Sequence, residues 1–98
     1  MRFQVSKKAE LELDEIFVYW AKRAGLEVAD RLIDSIEDRF ALISDYPVIG
    51  RICDDLAPCV RSFLVGNYLV YYRKRRGIIQ ILRILHGARD QASALKTD

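Results

Sequence analysis

The sequence predicts an α+β fold of order β-α-α-β-β-β, an antiparallel sheet packed on one face by an N-terminal helical hairpin. Three observations predict it. Two apolar stripes at helical spacing are parted by Gly25, three apolar segments separated by turn residues follow Pro47, and the last segment, Ile78-Ile79-Gln80-Ile81-Leu82-Arg83-Ile84-Leu85-His86, is apolar at both parities. A strand of that kind expects cover on both faces. Two helices blanket only one face of a small sheet, so the other is expected to stay exposed or to meet a partner.

In chain order, Phe3 and Val5 alternate with polar neighbours as a short first strand, and Ser6 stands where a helix N-cap belongs. Ala9, Leu13, Ile16, Phe17, Trp20 and Ala24 then form one apolar stripe, opposite Glu10, Glu12, Asp14 and Lys22. Gly25 stops that helix. Ala29, Leu32, Ile33, Ile36, Phe40 and Ile43 form a second stripe, which ends before Pro47 because the residue ahead of proline avoids helical geometry. So short a break makes the two helices an antiparallel pair whose stripes, Trp20 included, face the core. Residues 47–59 read as a loop, broken by Pro47, Gly50, Asp54-Asp55 and Pro58. Val60–Val65 turns at Gly66-Asn67 into Tyr68–Arg73, and Lys74-Arg75-Arg76-Gly77 turns that strand into Ile78–His86.

At 98 residues, 51% of them hydrophobic, residues 1–98 are expected to form one domain around a single small core. The N-terminus reaches charged residues by Lys7, and no apolar run approaches membrane-spanning length, so a cytoplasmic protein without a membrane segment is expected. Cys53 and Cys59 are too few for a disulfide scaffold and lack the second pair or nearby His of a zinc site. They are expected to be reduced, and neither metal nor cofactor is expected. The net charge of +2 conceals an asymmetry: residues 1–59 hold 8 Lys/Arg against 12 Asp/Glu, and residues 60–98 hold 8 against 2. Either the two parts neutralise each other in the fold or a basic surface faces an acidic partner.

Strict alternation sorts the three C-terminal strands into two faces. One collects Arg61, Phe63, Val65, Tyr68, Val70, Tyr72, Ile79, Ile81, Arg83 and Leu85. The other collects Val60, Ser62, Leu64, Leu69, Tyr71, Arg73, Ile78, Gln80, Leu82, Ile84 and His86. Both have apolar centres, so whichever the helices leave open is a candidate binding surface. Arg61 and Arg83 either pair with a carboxylate of the first helix, such as Glu12 or Asp14, or contact a target. Lys74-Arg75-Arg76 reads either as a solvated hairpin tip or as a basic loop that reaches nucleic acid.

Several strings at these spacings carry a family resemblance: Ser6 with Ala9, Leu13, Ile16 and Tyr19; Pro47 and Gly50; Val60-Arg61-Ser62-Phe63; Tyr68-Leu69-Val70-Tyr71-Tyr72-Arg73; and Ile81-Leu82-Arg83-Ile84-Leu85-His86-Gly87. Over nearly its whole length the chain resembles the ParE branch of the ParE/RelE superfamily of type II toxin–antitoxin toxins. The resemblance implies a toxin neutralised by a cognate ParD-like antitoxin that wraps it, with Leu64, Leu69, Tyr71, Leu82 and Ile84 as the candidate antitoxin contacts. It also implies one of two activities. ParE-like members poison DNA gyrase, which needs a binding surface; RelE-like members cleave messenger RNA in the ribosome, which needs a base, cations and a proton donor around one phosphate.

The positions at which the nucleases place basic residues are occupied here by Val60, Ser62 and Leu69, and the tyrosine expected six residues after Arg89 is replaced by Leu95. The nuclease reading would rest on His86, Arg89 and Arg83. Alternation points His86 and Arg83 to opposite faces unless the strand bulges between them. Gyrase-directed binding is therefore the leading expectation, with no catalytic residue, and RNA cleavage is the runner-up. A plain nucleic-acid-binding module is a third reading, weakened by the lack of a basic recognition helix or a stacking platform.

Overall fold

A computed structural model describes residues 3–87. Strand β1 (Phe3–Val5) leads into helix α1 (Lys7–Ala24) and helix α2 (Leu26–Asp45), followed by strands β2 (Arg51–Ile52), β3 (Arg61–Val65), β4 (Tyr68–Arg75) and β5 (Ile78–His86). The fold class is the α+β arrangement expected from sequence. Ser6 caps α1 by accepting the Ala9 N–H at 3.0 Å. Gly25, at φ 95°, makes the break between the helices, in backbone territory that a side chain would disfavour.

The sheet has the order β1-β5-β4-β3-β2. It is mixed rather than wholly antiparallel, because β1 runs parallel to β5 while the other pairings are antiparallel. Strand β2, read as loop from sequence, adds two residues to the far edge through Arg51 opposite Ser62 and Ile52 opposite Arg61. Both of its side chains are exposed, so no alternation announced it. The β4–β5 hairpin is also longer than expected. Its strands continue to Arg75 and from Ile78, leaving a two-residue turn in which Arg76 (φ 54°) and Gly77 (φ 76°) both take the left-handed conformation.

The face expectation fails at one residue. Tyr71 pairs with Arg83 but the next residue, Tyr72, pairs with Ile81, so Leu82 is an extra residue in β5. Such a bulge resets the alternation beyond it. Ile84 therefore joins Ile79 and Ile81 in the core under the helices, and Leu85 moves to the opposite face. The main core is built from Ala9, Leu13 and Ile16 of α1, Ile36, Phe40 and Ile43 of α2, and Val65, Tyr68, Val70, Tyr72, Ile79, Ile81 and Ile84 of the sheet.

The bulge lies where β1 has run out. Beyond Val5 opposite Ile81, polar groups at the start of α1 take over the edge of β5. Ser6 donates its N–H to the Ile81 carbonyl at 2.9 Å and its hydroxyl to the Leu82 carbonyl at 2.8 Å. One turn and a half later, Glu12 Oε1 accepts the Ile84 N–H at 2.8 Å, and Oε2 accepts Arg83 Nε at 2.9 Å and Nη2 at 2.7 Å. Arg83 thus takes the structural role, with Glu12 rather than Asp14.

Glu12→Ala is expected to cost about 2–3 kcal/mol in urea unfolding, since it strands both the Ile84 N–H and a half-buried guanidinium. Asp14→Ala, exposed on the same helix, should stay within about 0.5 kcal/mol. Equal losses for the two would contradict the edge-capping role.

Candidate functional site

The sheet face turned away from the helices holds a second apolar cluster. Val60, Tyr71 and Leu85 are buried in it, with Leu69, Leu82 and the loop residues Cys53, Leu56 and Ala57 packed around them. The loop reaches this face because Cys53 continues the β2–β3 ladder, donating its N–H to the Val60 carbonyl at 2.8 Å, and a short turn then returns the Leu56 N–H to the Cys53 carbonyl at 3.0 Å. The face expected to be bare is therefore partly roofed by the chain itself. What stays open is a groove lined by Ile52, Leu56, Leu64, Leu69 and Tyr71, with Asp55 also on its wall. Leu64 is 61% exposed and Ile52 59%, large for aliphatic side chains beside a packed sheet. Burial pushes the Tyr71 phenol above 10.0, helped by Cys53 and Asp55 and opposed by Arg51.

Of the five candidate partner contacts, Leu64, Leu69, Tyr71 and Leu82 lie on this face. Ile84 does not: the bulge at Leu82 turns it into the main core, where it is 2% exposed. Leu85 takes its place, and only the position of the bulge could have revealed that. Leu64 and Leu69 are cross-strand partners, and Leu69 in turn opposes Leu85.

Arg61 pairs with no carboxylate of α1. Its guanidinium donates to the carbonyls of Gly50 (2.8 Å) and Val48 (3.3 Å). Tyr72 completes this anchor, accepting the Gly50 N–H and donating to the Pro47 carbonyl, each at 2.8 Å. A Cβ at Gly50 would fall 2.5 Å from the Tyr72 hydroxyl oxygen and 2.8 Å from the Ser62 carbonyl oxygen, so a side chain is excluded there. Burial raises the Tyr72 phenol above 10.0, against the opposing pull of the Gly50 N–H and Arg61. The 47–50 segment is thus fixed to the sheet by Tyr72 and by Arg61, which sequence reading left open as a target contact.

Of the runner-up residues that lie within the described region, Arg83 and His86 have separate partners. Arg83 is committed to Glu12, and His86 sits edge-to-face against Tyr68, ring centroids 5.5 Å apart at 82°. Tyr68 is itself held by Trp20, whose indole N–H donates to its hydroxyl at 2.8 Å. The hollow beside His86 is lined by the carboxylate residues Glu12 and Glu15 and by Tyr19. Val60 and Ser62, at nuclease-type basic positions, are buried, and Leu69 is half-buried. Arg89 and Leu95 lie outside the described residues.

Cys53 and Cys59 are both free thiols; Cys53 Sγ lies 3.3 Å from Ser62 Oγ. Among the described residues no group of three His, Cys, Asp or Glu side chains gathers as a metal site, and no helix is long and apolar enough to cross a membrane.

The molecule is thus a small α+β domain with a two-helix hairpin on one face of a five-stranded mixed sheet and a half-roofed apolar groove on the other. Residues 3–91 match the family model described as ParE toxin of type II toxin-antitoxin system, parDE, and the chain belongs to that family. Toxin ParE3 of Caulobacter vibrioides is 36% identical over 84 residues, spanning 86% of this chain and 84% of that protein. Toxin ParE1 of Mycobacterium tuberculosis is 29% identical over 90 residues, spanning 91% and 92%. A solved structure described as the chromosomal ParDE TA system from P. aeruginosa superposes with a TM-score of 0.77 at 24% identity, covering 88% of this chain and 95% of that one, and so shares the fold.

The two exposures on the second face predict contrasting mutants. Leu64→Asp should leave thermal stability within about 0.5 kcal/mol, whereas Leu85→Ala should cost about 2–5 kcal/mol by opening a cavity under the loop. Calorimetry of the two variants checks the division, and a large loss at Leu64 would place it in the core instead.

Proposed function

We propose that this chain is the toxin of a type II pair, held inactive by a cognate ParD-like antitoxin across the open groove and acting on DNA gyrase by binding, without catalysis of its own. Membership of the ParE family supports the toxin role, and the related P. aeruginosa structure is of a ParDE system. The observation that carries the choice of mechanism is the setting of His86. A nuclease must gather cations around a scissile phosphate, because the transition state concentrates negative charge there. Here the hollow beside His86 is lined by Glu12 and Glu15, and Arg83 is spent on Glu12. Glu12 is neutralised by Arg83, and the remaining carboxylate there, Glu15, repels a phosphodiester. The groove sets the apolar side chains of Ile52, Leu64 and Leu69 beside Arg51, Asp55 and Ser62, and Ile52 and Leu64 are accessible, which suits an amphipathic partner segment.

The test is purified toxin with purified gyrase and plasmid. Toxin should accumulate gyrase-dependent cleaved DNA, and cognate antitoxin added beforehand should suppress it. Cutting of translated messages in a ribosome assay, with gyrase unaffected, would overturn the reading.

A further inference from the structure

Residues 60–87 contain six cations (Arg61, Arg73, Lys74, Arg75, Arg76 and Arg83) and no Asp or Glu. Three are spent internally: Arg83 on Glu12, Arg61 on the carbonyls of Val48 and Gly50, and Arg73 on Gln80, to whose Oε1 its Nε donates at 3.1 Å. Lys74, Arg75 and Arg76 are exposed, and among the described residues none of them forms an ion pair. They cluster at one place because β4 outruns its neighbour. The β3 ladder ends at Arg61 opposite Tyr72, whereas β4 continues to Arg75, which pairs only with Ile78 before the turn. On the other side β1 reaches as far as Phe3 opposite Ile79, the partner of Lys74, so Arg75 and Arg76 stand on a two-stranded tip with Lys74 at its base.

From this geometry we infer that the β4–β5 hairpin tip is a phosphate-backbone contact with which the toxin grips duplex DNA. Strand alternation sends Lys74 and Arg75 to opposite faces of the ribbon, which suits an extended polyanion better than a single carboxylate. Left-handed Arg76 continues the charge around the turn. The contact is with a duplex, since single-strand grooves need aromatic platforms for unstacked bases. The tip has none: Tyr71 and Tyr72 are both buried in the sheet. A grip on the phosphate backbone carries no sequence information, so binding is expected to be independent of sequence. The choice of DNA rests on the gyrase reading, whose target holds duplex DNA, and the hairpin would add affinity for that nucleoprotein over the bare enzyme.

The test is fluorescence anisotropy of the full chain with a short labelled duplex across a salt series, without gyrase. The comparison variant is Lys74→Gln/Arg75→Gln/Arg76→Asn, in which Asn keeps the left-handed turn position. Wild type should bind with a log–log salt slope steeper than the variant's by about 2–3, at about 0.9 for each phosphate the variant no longer neutralises, while thermal unfolding is unchanged. An equal slope, salt-independent binding, stronger binding to duplex RNA, or a variant impaired only towards antitoxin would each overturn the proposal. If the hairpin effect appears but gyrase cleavage does not, the DNA grip stands and the target reading fails.

Discussion

The carboxylate of Glu12 does for the edge of β5 what a neighbouring strand would have done. β1 is only three residues long and leaves β5 with an unpaired edge from Leu82 onward, next to the face that α1 must cover. Unpaired backbone groups there would be costly once α1 excludes water. Ser6 and Glu12 meet them from α1 itself, and Arg83 neutralises the carboxylate in the same place. The helix hairpin is thereby tied to the sheet by directional bonds as well as by the apolar packing of Leu13 and Ile16, and the bulge at Leu82 is held open.

That bulge decides what each face of the sheet can do. It hands Ile84 to the main core and Leu85 to the second cluster, which gives the 53–60 loop a buried residue to pack on and leaves Leu64 and Ile52 outside the roof. A separate anchor, Tyr72 with Arg61, Gly50 and Pro47, holds the chain between α2 and β2. The consequence for charge is a division of labour. Three sheet arginines, Arg61, Arg73 and Arg83, are engaged internally, Arg51 is exposed on the β2 edge, and Arg75 and Arg76 stand with Lys74 at the hairpin tip.

Helices α1 and α2, their caps and their core faces were legible because Ser6, Gly25 and the spacing of apolar residues each speak for themselves. The hairpin turns were legible from Gly66 and Gly77. The rest depended on partners distant in sequence. β2 exists only because Arg51 and Ile52 meet Ser62 and Arg61, and β1 runs parallel to β5 for reasons of topology that three residues cannot carry. The Leu82 bulge has no local signal, since an unbroken run of Ile and Leu satisfies either register. Leu64, Leu69, Tyr71 and Leu82 share the face that alternation gives them because they precede or sit at the bulge, and Ile84, just beyond it, does not. A pairing of Arg83 with a carboxylate of α1 was one of the alternatives legible from charge, and the structure selects Glu12. That of Arg61 with backbone carbonyls was not legible, since loop carbonyls carry no sequence signature.

The central claim is that this toxin works through surfaces and not through proton transfer, and His86 is where it is most exposed to test. His86→Phe keeps an aromatic ring edge-on to Tyr68 and removes the only imidazole in the chain. The measurement is growth arrest on expression without antitoxin, read together with message integrity. The account predicts that the variant arrests growth as wild type does, with messages intact in both. Loss of arrest in a folded His86→Phe protein, accompanied by loss of message cleavage that wild type performs, would contradict it.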